Sequence, residues 1–495
     1  MSSVTTRSSV TRRELGLVAA LTLVALVLRV VGSNSGLWID EIYSLVDFFR
    51  VPFAQMVTAF PRDNHHPLYS ALAHLSLSVF GEAPWTIRLP AVLFGTATIP
   101  LLYLLGRHLS TRREALLASA LLAVSYHHIW FSQNARGYSM LAFFAIACTW
   151  CLLRLLEGGP RWLAVAYGVS AALGAYTHLT MVFIVVAHGA VCVAMLFTDA
   201  GRAVWTRDGW YALLPFVFAS LGALMLYAPL LLQVQSFFTK RQSNLKGVST
   251  ASWALVEALR VLALGFGAGK LLLGLVVVAI AGGLFALGIA SYARRNAIAL
   301  ALFLAPAFVI LAGARMARGT FYPRFLFALA GFGILIGVRG LMVAANWAER
   351  RWIPRHTTPY ESERLGSALM LGAILLSLAS LGNLYRLPKQ DFVGAEQYIL
   401  SSRAPGDAVA TAGAAETPYR DYLLHRDWPP VTTAAELNRL RQDRPLWLVY
   451  TFPRYLARSA PEVMAIANES CRDAREFRGT VGDGDIVVCR LEPVR

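Results

Sequence analysis

Residues 15–31 read LGLVAALTLVALVLRVV, and residues 32–44 continue GSNSGLWIDEIYS. The first stretch holds one charge, Arg29, and is long and apolar enough for a helix that crosses a bilayer. It follows Arg12 and Arg13, and no small-residue cleavage site comes after it, so it reads as a signal anchor and first span. Working outward, similar runs recur at 88–107, 114–131, 138–156, 162–178, 180–198, 211–232, 270–292, 297–313, 323–345 and 365–384. The sequence therefore predicts a polytopic all-α membrane protein of about eleven spans.

Composition agrees. Hydrophobic residues make up 56% of the 495 and charged residues 15%, with mean hydropathy +0.53. Soluble domains run near 45–50% and about 25%. Disorder, a coiled coil and an ordinary cytosolic enzyme are excluded. The formal charge is +16, all of it in residues 1–385; residues 386–495 carry 15 basic and 15 acidic side chains. The basic residues sit in short clusters between apolar runs rather than along one stripe, which argues against nucleic acid as a partner.

Arg clusters mark every second loop: Arg12/Arg13, Arg107/Arg112/Arg113, Arg154/Arg161, Arg202/Arg207, Arg294/Arg295 and Arg350/Arg351/Arg355. The positive-inside rule puts these loops and the N-terminus in the cytoplasm of a cell with a plasma (inner) membrane. Segments 33–87, 132–137, 233–250 and 314–322, and the tail 386–495, are then extracytoplasmic. Stretches 41–50, 52–60, 67–81 and 253–265 do not fit as spans and read as helices lying along the outer interface. The expected organisation is a membrane domain over 1–385, with 33–87 as its first outer loop, and a small soluble α/β domain over 386–495. Candidate strands in the tail are 408–412, 446–452 and 485–491, and candidate helices 395–402 and 434–442.

Cys148, Cys151 and Cys192 fall inside apolar runs and read as small packing residues. Cys471 and Cys489 lie in the tail. If the tail is outside the cell, it sits where disulfides persist, and these two form a candidate bridge.

Polar chemistry gathers on the outer side. Asp40 and Glu41 are adjacent carboxylates directly after the first span. They suit a general base acting on a hydroxyl, and equally a helix N-cap. His65 and His66 stand before Pro67, as an anion or metal site or as a turn with a cap. Arg136, with Asn134 beside it, is the one charge of a short loop, and Arg88 opens the second span; both fit a cavity lining or snorkelling to headgroups. Lys240, Arg241 and Lys246 share one outer loop, and Arg315, Arg318, Tyr322 and Arg324 surround another. Outer cations oppose the positive-inside rule, and phosphate is the natural reason for them, with anionic headgroups the alternative. A carboxylate base together with phosphate-binding cations fits transfer of a group from a lipid phosphate to a hydroxyl.

The motifs WIDEIYS (38–44), HHPLY (65–69), RLP (88–90) and SQNARGY (132–138) resemble the GT-C glycosyltransferases. The nearest likeness is to the bacterial branch related to protein O-mannosyltransferases and to lipid A and lipopolysaccharide-core sugar transferases. YTHLT (176–180), FYPRFL (321–326), KQDFVGAEQYI (389–399) and PGDAV (405–409) resemble later landmarks of the same group. The resemblance implies a GT-C fold and a polyprenyl-phosphate sugar donor. It further implies an acceptor glycan, lipid or protein, and inversion at the anomeric carbon. Asp40 takes the place of the catalytic base, with Glu41 its neighbour. His65, His66, Arg88, Asn134 and Arg136 fall at acceptor or cavity positions. Tyr322 and Arg324 fall in the phosphate-holding region, which the cations Lys240, Arg241 and Lys246 would join. Two departures stand out: Asn134 where many relatives have Glu, and Leu68 where many have a second Pro. The sequence calls for no cofactor and shows no metal-ligand cluster, leaving a divalent metal open. Two rivals remain, a transporter or flippase for lipid-linked sugars and a non-catalytic envelope-assembly subunit of the same fold.

Overall fold

The computed structural model describes residues 11–62, 65–198, 213–241, 271–316, 323–352, 363–471 and 473–494. The chain forms two compact units. One comprises Met1–Val31, His66–Tyr69 and Leu89–Leu381; the other comprises Gly32–His65, Ser70–Arg88 and Gly382–Arg495. Most of the first outer loop thus clusters with the tail, whereas the sequence suggested it belonged to the membrane domain.

The first unit is helical, and a helix stands on each of the eleven predicted segments. Among the described residues five helices are long and apolar enough to cross a membrane: Pro84–Leu109, Tyr138–Leu156, Gly274–Arg295, Pro323–Trp352 and Arg364–Arg386. Two further spans are bent pairs rather than the continuous helices predicted. Arg112–Ala123 and Tyr126–Ser132 meet at 58°, where the Ser125 hydroxyl accepts from the His128 N–H and caps a new helix. Leu214–Tyr227 and Leu231–Phe237 meet at 86°. There Pro229 lacks an N–H and disfavours helical backbone before it. Trp162–Thr177 and Thr180–Met195 have 16 residues each. At 1.5 Å per residue that is about 24 Å, short of a typical hydrocarbon core.

Small residues and buried ion pairs lock the bundle. Helices Leu271–Arg295 and Ala330–Trp352 approach backbone to backbone. A Cβ on Gly340 would lie 1.7 Å from the Leu284 carbonyl oxygen, and one on Gly288 would lie 2.0 Å from that of Ile336. This is the close approach that small residues permit between membrane helices. Arg339 binds Glu114 at 2.5 Å and the Ser291 hydroxyl at 2.9 Å. Arg107 binds Glu14 at 2.8 Å, and the Tyr103 hydroxyl donates to the same carboxylate. Gln133 donates its side-chain amide to the carbonyls of Leu28 and Arg29 at 3.2 Å, and to that of Val31, closing the end of helix Arg12–Val30.

In the second unit the tail forms a five-stranded sheet. Its strands are β1 (Ala408–Gly413), β2 (Pro430–Val431), β3 (Leu446–Thr451), β4 (Arg475–Phe477) and β5 (Ile486–Leu491), in the order β2-β1-β3-β5-β4. β1 runs parallel to β2 and β3, and β5 antiparallel to β3 and β4. Every residue of β3 is buried, as a central strand covered on both faces requires. One face alternates Ala408, Ala410 and Ala412 with Leu446, Leu448 and Tyr450, then Val487, Cys489 and Leu491. It packs on Leu437, Leu456, Val463 and Ala467 of the helices Ala434–Leu440, Pro453–Ser459 and Pro461–Ser470. A disulfide joins Cys471, at the end of that last helix, to Cys489 in β5, with Cα atoms 5.7 Å apart. The loop part of this unit contributes helices Ile39–Ser44 and Phe53–Thr58, with one π turn at Leu45–Phe49. The predicted helix over 253–265 lies outside the described residues.

Candidate active site

In the second unit the two predicted carboxylates lie on helix Ile39–Ser44. Glu41 is fully buried and accepts on both oxygens. Arg88 Nε reaches Oε1 at 2.7 Å and an Arg88 terminal nitrogen reaches Oε2 at 2.6 Å, a bidentate pair. The Trp38 backbone N–H donates to Oε2 at 3.3 Å, and Lys389 Nζ to Oε1 at 3.4 Å. Every nitrogen of the Arg88 guanidinium is engaged. Besides Glu41 it binds the carbonyls of Ser33, Ser35 and Gly36 at 2.8–3.0 Å and the Ser35 hydroxyl at 3.2 Å. Arg88 is 0% exposed. It therefore staples the 33–36 turn to the helix, where the sequence suggested a cavity lining or a snorkelling side chain.

Asp40, one residue from Glu41, is half-buried. Its backbone carbonyl accepts from the Ser44 hydroxyl at 2.8 Å. Neighbouring residues on a helix point about 100° apart, so the two carboxylates occupy different surroundings. His65 is buried in an aromatic setting, its ring stacked on Phe48 at 4.2 Å and tilted against Phe60 at 5.8 Å. Beyond them Arg62 pairs with Asp47 at 2.8 Å and lies 4.7 Å over the Tyr43 ring. Burial raises both the Asp47 carboxyl and the Tyr43 phenol above their usual ranges, against the nearby Arg62 cation.

The first unit holds the other predicted groups. Gly137 donates its N–H to His66 Nδ1 at 3.0 Å, and a Cβ there would fall 2.6 Å from Thr177 and 2.7 Å from that same nitrogen, so the position suits only glycine. The Thr180 N–H donates to His178 Nδ1 at 3.1 Å. Both imidazoles therefore carry their proton on Nε2 when neutral and present it as a donor. Their rings meet edge-on at 4.7 Å, with Tyr138 5.7 Å from His66 and 5.4 Å from His178. Arg136, 4% exposed, lies 5.8 Å over Tyr138; Asn134 is fully buried. Phe131, Phe325 and Phe327 add an aromatic wall. Arg324 is half-buried in the 3-10 turn Pro323–Leu329.

The first unit thus brings His66, Arg136 and Arg324 to a histidine and aromatic cluster, while Asp40, Glu41, His65 and Arg88 belong to the second unit. Lys240 and Arg241 lie on helix Leu231–Arg241. Lys246 and Tyr322 lie outside the described residues. Sequence reasoning missed His178, Lys389 and Gln390 as functional candidates. Each sat inside a quoted motif, at 176–180 or 389–399, without a charge pattern that marked it. Among the described residues no group of three His, Cys, Asp or Glu side chains is arranged to hold a metal ion.

Three comparisons bear on this arrangement. The family model for dolichyl-phosphate-mannose-protein mannosyltransferases matches residues 64–233. YkcB of Bacillus subtilis (strain 168), which carries a provisional mannosyltransferase name, is 27% identical over 104 residues. That match covers 21% of this chain and only 14% of YkcB. The crystal structure of ArnT from Cupriavidus metallidurans bound to undecaprenyl phosphate aligns over 96% of this chain and 98% of its own. The TM-score is 0.53 at 15% identity, and the apo form of the same protein gives 0.52. At such identity the likeness is one of fold, and it runs over nearly the whole chain. The chain is thus similar in fold to ArnT over nearly its whole length and, over residues 64–233, similar in sequence to the dolichyl-phosphate-mannose-protein mannosyltransferases.

Proposed function

We propose that the protein moves a sugar from a polyprenyl phosphate to a hydroxyl of a glycan, lipid or protein acceptor on the outer face of the plasma membrane, with inversion. The observation that carries this is the division of labour between two adjacent carboxylates. Glu41 is neutralised by Arg88 and Lys389 and held as part of the frame. Asp40, half-buried on the same turn, is the base. It takes the acceptor hydroxyl proton as the oxygen attacks the anomeric carbon, and the polyprenyl phosphate leaves from the opposite face. Cations fixed in place before the reaction commonly supply most of the stabilisation of such a leaving group. Arg324 has this role, with Lys240, Arg241, Lys246 and Tyr322 as further phosphate contacts, and Arg136 lines the acceptor side. His66 and His178 offer Nε2–H donors suited to sugar hydroxyls. The reaction as drawn calls on no cofactor. The ArnT likeness supports the donor class, since that protein was crystallised with undecaprenyl phosphate.

The direct test is comparison of envelope glycans and glycolipids with and without the gene, followed by transfer assays on purified protein with the lipid extract that restores the missing sugar. Arg324→Ala is expected to weaken donor binding and turnover together, and Arg324→Lys to restore only part, because the guanidinium fork is lost. Unchanged donor KM and kcat in Arg324→Ala would remove this residue from the phosphate site. The two bent helices are a feature that transporters share. Under that reading the protein would move labelled lipid-linked sugar across vesicles without changing it.

Orientation has its own test. With the tail outside the cell, non-reducing peptide mapping of protein taken from membranes should recover Cys471 and Cys489 as one linked peptide. Closing an 18-residue separation contributes about 3 kcal/mol in the chain-entropy model, so Cys471→Ser should lower tail stability by roughly that amount. Two free thiols in the native protein would place the tail in a reducing compartment.

A further inference from the structure

Lys389 and Gln390 open the tail, and both side chains are buried. Their backbone is fixed from the tail side. Thr480 and Val481 donate their N–H groups to the carbonyls of Pro388 and Lys389 at 3.0 Å, and a Cβ on Gly479 would lie 2.2 Å from the Lys389 carbonyl oxygen. The Gln390 amide faces three ways. Its nitrogen donates to the Gly484 carbonyl at 2.8 Å and to the Thr451 hydroxyl, at the end of β3, at 3.2 Å. Its oxygen accepts the N–H of Ile39 at 2.9 Å. That N–H is one of the donors a helix start leaves without an internal partner, and Ile39 immediately precedes Asp40. Lys389 meanwhile reaches Glu41, immediately after Asp40. The tail therefore grips the residue on each side of Asp40.

We infer that Lys389 and Gln390 are positioning residues for Asp40, through which the folded tail sets the orientation of the catalytic turn. The inference rests on the reading of Asp40 as the base, and Glu41 is its intermediary.

The grip is sensitive to protons. Burial first, and the Arg88 cation second, pull the Lys389 ammonium down to about 7, while Glu41 opposes them. The charged groups facing Lys389 are Glu41 and Arg88. Tyr422 lies within electrostatic reach of that pair and of Glu82 and Arg50. Below about 7 the ammonium holds Glu41 by a charge-assisted bond; above it the neutral amine holds Glu41 more weakly. The fold as a whole responds with the opposite sign. A lysine whose pKa is lowered on folding binds fewer protons in the native state, so stability rises with pH between about 7 and the unfolded value of 10.5.

The test uses Asp40→Cys in the full-length protein as a reporter, labelled with a small maleimide between pH 6 and pH 9. Cys148 is the control thiol because it is fully buried in the first unit. Rates are compared at equal pH and normalised to the thiolate fraction of the position-40 thiol measured in each background, because loss of the Lys389 charge shifts its ionisation. Lys389→Met and Gln390→Leu are expected to raise labelling at position 40 about 3–10-fold, the scale of one lost intramolecular hydrogen bond. With native Lys389 the rate should match Lys389→Arg at pH 6 and approach Lys389→Met at pH 9. Equal rates in all backgrounds at every pH, with Cys148 silent, would overturn the inference. If Lys389→Met also exposes Cys148, it has unfolded, and Gln390→Leu and the pH course of Lys389→Arg decide. Asp40→Asn is assayed for transfer alongside. Retained transfer removes the catalytic reading whatever the labelling shows. Lost transfer with unchanged labelling removes the positioning inference alone.

Discussion

Asp40→Asn is expected to leave a folded protein that transfers sugar about 10²–10⁴-fold more slowly, the usual share of a general base. Asparagine keeps the size of the side chain and can still accept a hydrogen bond, so the turn should persist. What it removes is basicity. The neighbouring carboxylate cannot stand in, because both Glu41 oxygens are occupied by Arg88, with Lys389 and the Trp38 N–H alongside. Freeing Glu41 would break a fully buried ion pair. Asp47, whose carboxyl is raised by burial, is paired with Arg62 instead. Turnover is the quantity to measure, at saturating donor and acceptor. A folded Asp40→Asn protein within threefold of wild type would take the proton-abstracting role away from Asp40.

The second large effect is on folding. Arg88→Leu removes the partner of a carboxylate that has no access to water and strips the carbonyls of Ser33, Ser35 and Gly36 of their donor. Breaking a buried pair from one side costs about 3–5 kcal/mol, because the remaining charge stays buried. Lys389 softens this by keeping one cation near Glu41, which places the expectation near the lower end, about 3 kcal/mol. Arg50→Ala is the control. Its pair with Glu82 is shorter than many, at 2.6 Å, yet both side chains are roughly a third exposed or more. Such pairs contribute about 0–1 kcal/mol. Thermal unfolding of the two variants in the same detergent separates them. Equal midpoints would mean that the Arg88 staple does not hold this unit together.

The regular parts of the fold were legible because their periodicity is local. The strands over 408–412, 446–452 and 485–491 were read within a residue or two of β1, β3 and β5, since alternation and bounding Pro or Gly mark them. The eleven apolar segments were found for the same reason. What the sequence hid is non-local or depends on single atoms. A Ser in an apolar run looks neutral until its hydroxyl caps a new helix, as Ser125 does. Arg88 looked like a boundary cation because nothing in RLP announces that Ser33, Ser35, Gly36 and Glu41 converge on it. Lys389 is 348 positions from Glu41, a separation at which no sequence pattern operates. Asp40 and Glu41 could not be told apart from their types alone. Only burial and partner geometry distinguish them.

The clustering of residues 32–65 and 70–88 with the tail bears on how such proteins diversify. An exchange of the 382–495 segment between relatives would cut through a shared interior and replace the groups that hold Glu41 and Ile39. The heritable module is discontinuous, an early insert plus the carboxyl-terminal hundred or so residues. Its two pieces should drift together even though most of the chain lies between them. Acceptor preference, if it is carried by this module, would then be recombined only by moving both pieces at once.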